Sequence, residues 1–208
     1  MDPMAQVRPY RGIEAADRVA ERRRRFLEAG LDILGSDSDL SELTVRGICR
    51  RAGFALRYFY ESFADKDDLI AAVYDWVIAD LAATTQAAVA AAPVPEQSRA
   101  GMANIVRSIA ADPRVGRLLF SSQLSNPVVV RKRTESFALM ALLTFQHAST
   151  VGGRHTDRLK AGSHFVVGGV AQMITSWLEG DVSLDNDELV DQLATMIDAL
   201  AVPDLYTD

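Results

Sequence analysis

A single cysteine, Cys49, and three scattered histidines leave this chain without the means to build a disulfide framework or a zinc cage, and the lone thiol points to a reducing compartment. No apolar leader follows the opening MDPMAQVRPYRG, so no signal peptide is expected and the cytoplasm is the expected location. Nor is there an uninterrupted apolar run of the ~20 residues that a membrane span requires. The charge-free stretches Ser136 to Gly153 and Ala161 to Leu178 stop at 18 residues each and carry polar groups such as Gln146, His147, Ser163, His164 and Gln172. They read as buried core helices, with no membrane partner. A Walker loop, a GxGxxG turn, a nucleophile elbow and a His/Glu metal spacing are all missing, and Ser163 and His164, being sequence neighbours, face different ways on a helix. No enzyme, catalytic residue, metal or cofactor is therefore expected.

What is present is a 208-residue chain, 49% hydrophobic and 24% charged, large enough for one large or two small packed domains and far from the disordered regime. Its net charge of −6 argues by itself against a polyanionic partner. The distribution argues otherwise. Residues 1–66 hold 12 Lys and Arg against 11 Asp and Glu, a net +1, whereas residues 67–208 hold 10 against 17, a net −7. Between Leu43 and Phe63 stand Arg46, Arg50, Arg51 and Arg57 against Glu61 alone. The upstream run Arg22 to Arg25, flanked by Glu21 and Glu28, reads in isolation as a solvated helix face.

Alternation with period two is almost absent and apolar residues recur with period 3.6, so the expected fold class is all-α. A first helix from about Arg18 to Leu34 places Val19, Phe26, Ala29, Ile33 and Leu34 on one side. Thr44 is a good N-cap for a two-turn helix with Val45, Ile48, Cys49 and Ala52 on one face and Gly53 at its end. A second short helix, about Ala55 to Ser62, aligns Leu56, Phe59, Tyr60 and Phe63 and leaves Arg57, Tyr58, Glu61 and Ser62 on the other side. Two short helices joined at a glycine are a helix-turn-helix signature.

Asp65 can cap a long helix running to about Ala91, with Asp67 and Asp68 in its first turn and two apolar stripes that imply packing on two sides. Pro93 and Pro95 read as a linker, and Asp112-Pro113 and Asn126-Pro127 as N-cap followed by N1 proline. The helix from about Thr156 to Leu178 is apolar nearly all round, which implies burial on several sides, and Asp185 and Glu188 have capping-box spacing for the last helix.

The stretch TVRGICRRAGFALRYFYESFADKDDLIAAVYD, Thr44 to Asp75, resembles the DNA-binding domain of the tetracycline-repressor (TetR) family of bacterial transcription regulators. The resemblance covers roughly the first 80 residues and rests on Thr44-Val45, Ala52-Gly53, the Tyr60 and Phe63 pair, and Lys66 with Leu69. It implies about nine helices in all, with an arm and helix-turn-helix head over 1–66 and a helical effector-binding and dimerisation part over 67–208. It further implies a repressor released from a pseudo-palindromic operator by a small-molecule effector, and a homodimer joined through the two C-terminal helices. Ala55, Leu56 and Ser62 depart from the family pattern at positions usually occupied by a Ser or Thr cap, a polar residue and a histidine. Leu56 is left to touch a thymine methyl or to fold into the core.

In a helix-turn-helix the second helix enters the major groove and its N-terminal residues meet base edges. Arg57 and Tyr58 stand there, and an arginine pairs with guanine O6 and N7, so Arg57 is the candidate base reader. Thr44, Tyr60 and Lys66 match family positions that contact the DNA backbone, where a hydroxyl, a phenol and an ammonium can each bond phosphate, and Arg46 joins them as a DNA-binding candidate. Tyr60 shares a stripe with core residues and Thr44 is needed as a cap with or without DNA. Candidate effector contacts, chosen because they join apolar surface to a polar or polarizable tip, are Phe120, Gln123, Phe137, Met140, His147, Met173 and Trp177. The rival readings are a DNA-binding regulator with no effector pocket, and a helical scaffold with no DNA partner.

Overall fold

A computed structural model describes residues 10–36, 40–152 and 156–201. Among them the chain forms nine α-helices and no strand: α1 (Tyr10–Leu34), α2 (Val45–Ala52), α3 (Leu56–Tyr60), α4 (Lys66–Ala91), α5 (Gln97–Ala111), α6 (Pro113–Phe120), α7 (Pro127–Gly152), α8 (Asp157–Leu178) and α9 (Asn186–Leu200).

Local chemistry explains most boundaries. The side chains of Thr44, Asp65, Asp112, Thr156 and Asp185 each accept a hydrogen bond from a backbone N–H in the first turn of the helix that follows, and Asp185 and Glu188 form a reciprocal capping box. Asn126 does the same for the first turn of α7. Gly53 closes α2 with φ 75°, a left-handed conformation that a side chain would strain. Three expectations need correction. Helix α1 begins at Tyr10 rather than near Arg18, α3 is limited to Leu56–Tyr60, and the proline stretch after α4 is a single 3-10 turn, Val94–Glu96, leading directly into α5.

A core of buried side chains runs from Phe26, Ile33 and Leu34 on α1 through Ile48 and Phe59 to Leu69, Ile70, Val73 and Tyr74 on α4, and on to Leu118, Leu119 and Val129. Both stripes of α4 are thus buried, as its sequence requires. A second cluster joins Val106 and Ile109 of α5 to Ile174 of α8 and to Leu189, Val190 and Leu193 of α9. Burial pushes the Tyr74 phenol above its usual range, against the opposing pull of a 2.8 Å hydrogen bond with the Ser136 hydroxyl.

Helix α8 is not buried on several sides within one chain. Among its described residues only Ser163, Ala171 and Ile174 are buried, whereas Phe165 is 67% exposed. A Cβ at Gly168 or Gly169 would meet nothing within 4 Å. The packing of α7, α6 and α9 covers part of the helix and leaves an apolar remainder. No helix among the described residues is long and apolar enough to cross a membrane.

Candidate nucleic-acid interface and the adjoining cleft

Phe26 is the hub on which the helix-turn-helix is built. Its ring lies 5.4 Å from Phe54, 5.7 Å from Phe59 and 6.1 Å from Phe63, the last two edge-on, a geometry that favours aromatic pairs. Cys49 fills the same core, and burial raises its thiol above the usual range. A Cβ at Gly47 would collide with the Glu42 carbonyl oxygen, so the entry to α2 accepts only glycine without backbone movement.

This core fixes α3 with Phe59 inward and Leu56, Arg57 and Tyr60 outward. Leu56 does not fold into the core: it is 43% exposed, and Tyr60 is 57% exposed despite its edge-on contact with Phe59. Thr44 and Arg46 are exposed at the start of α2, and Lys66, partly exposed, opens α4 with its ammonium 3.9 Å from Asp67. The six residues singled out for DNA contact thus stand at the starts of α2 and α4 and along α3.

Arg57 is exposed but not free. Its guanidinium donates to the Tyr58 hydroxyl at 2.5 Å and lies 4.5 Å from that ring's centroid. Arg22 of α1 lies 4.5 Å from the same ring, and its guanidinium pairs with Glu61 at 3.4 Å while its side chain is only 17% exposed. Arg23 stacks on Phe63 at 4.4 Å and donates to the Ser62 carbonyl, and Arg25 stacks on Phe54 at 4.7 Å. Arg23, Arg24 and Arg25 are exposed, as a solvated face requires, and Arg22 is half-buried; yet Arg22, Arg23 and Arg25 also clamp α1 onto the aromatic side of the helix-turn-helix. Their partners lie about thirty to forty residues downstream, beyond any local pattern; the signal available was the density of arginines opposite an aromatic run.

Behind this head, α1 meets α6 at Arg114. Its guanidinium binds Asp112 at 2.6 Å, contacts Asp32, and lies 3.8 Å from Glu28. The hydrogen bonds from Arg114 hold the Asp112 carboxyl below the usual carboxylate range, and those to Asp112, then Asp32, push the guanidinium up. Beside the cluster lies a cleft of about 240 Å³ lined by residues of α1, α4, α5 and α6.

None of the seven candidate effector residues lines that cleft. Phe120 packs between the two cores, Met173 and Trp177 pack on the second, and the Trp177 indole N–H donates to the Leu184 carbonyl at 2.9 Å. Gln123 is exposed, Phe137 and Met140 are partly exposed on α7, and the side chain of His147 lies outside the described residues. Also on α7, Arg133 donates to the Leu118 carbonyl at 2.9 Å while its buried Nε has no partner, and burial lowers its pKa. Among the described residues no group of His, Cys, Asp and Glu is placed to hold a metal ion.

No protein-family model and no curated protein sequence matches the chain. Solved structures do. The fatty acid degradation regulator FadR from Bacillus halodurans superposes with a TM-score of 0.66 at 17% identity over 86% of this chain and 94% of its own. FadR from Bacillus subtilis, solved in complex with stearoyl-CoA, gives 0.63 at 14% identity over 84% and 96%. A TetR-like transcriptional regulator from Rhodococcus sp. RHA1 gives 0.64 at 18% identity over 88% and 94%. Helix order, the helix-turn-helix and these superpositions together identify the fold of the chain as that of the TetR-type transcription regulators.

Proposed function

We propose that the chain is a cytoplasmic, sequence-specific DNA-binding regulator of TetR type, a repressor that leaves a pseudo-palindromic operator when a small molecule binds. The head is residues 1–66 and the effector and dimerisation part 67–208. The observation that carries the reading is α3: a helix anchored from beneath by Phe59, with Arg57 exposed at its first turn. In this reading Arg57 and Tyr58 meet base edges, while Thr44, Arg46, Tyr60 and Lys66 hold phosphates.

The uncovered side of α8 supports a homodimer. Phe165, Leu178 and, on α9, Met196 are exposed apolar groups, and the open backbone at Gly168 and Gly169 would let a second helix approach closely. A dimer would set two copies of α3 on half-sites about one helical turn, ~10 bp, apart or a multiple of it. The ligand-independent alternative has one observation in its favour, that the seven candidate effector residues do not gather on the cleft beside α6.

Fluorescence anisotropy of a labelled operator at several salt concentrations tests the DNA reading. Each phosphate neutralised by Lys or Arg releases about 0.9 counterion, so log affinity is expected to fall steeply and linearly with log salt. A flat response would refute the phosphate roles of the two cations, Arg46 and Lys66.

A further inference from the structure

We propose that the cleft between α1, α4, α5 and α6 is a binding site for a small organic cation with an apolar body. Leu31, Val77, Leu81, Val115 and Trp76 give the cleft an apolar lining. Its volume of about 240 Å³ lies just below the ~300–1,000 Å³ usual for ligand pockets, which suits a single ring with a small head group. The charged groups at its edge are Glu28, Asp80 and Asp112 against Arg114 alone, an excess of two negative charges.

Arg114 is moreover shared among Asp112, Asp32 and Glu28, which leaves no cation for Asp80. The Asp80 carboxylate has no ion-pair partner among the described residues; only its backbone carbonyl is engaged, by the Thr84 hydroxyl. An indole is the best aromatic partner for a cation, and an unpaired carboxylate beside it selects the same sign of charge. An anion would meet repulsion from both.

The cleft also joins the helix that carries the Arg22, Arg23 and Arg25 stacks to the N-terminus of α6. A cation near Glu28 competes with Arg114 for that carboxylate and so biases α1 against α6, by no more than its difference in affinity for the two arrangements. This last step rests on the regulator reading above; the binding site itself does not.

The test uses the full chain carrying Trp177→Phe, so that emission reports on Trp76, the other of the two tryptophans. Benzyltrimethylammonium is the probe and 3-phenylpropionate the control of similar size and opposite charge, with calorimetry as a second readout and no DNA present. Saturable binding of the cation and none of the carboxylate is expected. Asp80→Asn should weaken the cation about tenfold and Asp80→Lys should abolish binding, and because Asp80 is exposed and unpaired both variants should keep the wild-type helical signal and melting temperature. Equal binding of the two probes, or cation binding indifferent to Asp80→Lys, would overturn the site. Binding of the carboxylate alone, lost in Arg133→Gln, would overturn it too by moving the ligand to α7. Cation binding that leaves a separately measured operator complex intact would overturn the coupling to α1, whereas failure to bind any operator would count against the regulator reading and not against the site.

Discussion

Replacing Arg57 by alanine should flatten the base preference of the DNA complex more than it weakens the complex. A bidentate arginine on guanine contributes about 1–3 kcal/mol of discrimination, or roughly 5- to 150-fold at one base pair. In the free protein, however, the same guanidinium holds the Tyr58 hydroxyl at 2.5 Å and stacks on its ring at 4.5 Å. At an exposed site the hydrogen bond is worth about 0.5–1 kcal/mol and the cation–π contact about the same. Arg57 gives up about 1–2 kcal/mol when it turns to a base edge, so its net contribution to affinity runs from about −1 to about +2 kcal/mol, at most roughly a 30-fold gain. Anisotropy titrations of wild type and Arg57→Ala against the preferred operator and every single-base variant of one half-site would separate the two quantities. The expected result is a lost preference at one or two neighbouring positions with a smaller drop in affinity for the preferred site. An equal drop on every sequence would make Arg57 a phosphate contact and refute the reasoning.

Gly47→Ala should destabilise the protein by about 1–3 kcal/mol, because the added methyl meets the Glu42 backbone rather than a movable side chain, and urea titration would show a lower midpoint. The Asp112 carboxyl is held low by Arg114, so its contribution to stability is complete above the ordinary value of 3.8 and is lost as pH falls through the depressed folded value. Arg114→Met should reduce that acid dependence, read as melting temperature from pH 6 to 2; an unchanged slope would place the acid sensitivity elsewhere. Phe165→Glu should convert a dimer into monomers in analytical sedimentation with little change in helical content, since the ring is 67% exposed in one chain. A variant that still sediments as a dimer would mean that the interface lies off this face of α8.

The parts of the fold that the sequence made legible are those set by contacts three or four residues apart. The caps at Thr44, Asp65, Asp112 and Asp185, the left-handed Gly53 and the two buried stripes of α4 all follow from neighbours within one or two turns. What could not be read depends on distant partners. The stacking of Arg22, Arg23 and Arg25 could not be read because nothing near them in sequence reveals the rings of Tyr58, Phe63 and Phe54. The cleft was invisible for the same reason: Glu28, Trp76, Ser108 and Arg114 come from four separate helices. Choosing effector candidates by side-chain type drew on groups such as Trp177 and Phe120, whose apolar surface packs in the cores. Helix α8 misled in the opposite direction, since its all-round apolarity records surface that a single chain leaves uncovered.

The most direct test of the central claim is selection of random duplex DNA on the purified protein, followed by sequencing of the bound pool. Enrichment of an inverted repeat with half-sites about one turn apart, or a multiple of it, is the expected result and would establish a dimer that reads sequence. A pool that stays unenriched through successive rounds, with or without the cation probe, would contradict DNA reading by α3.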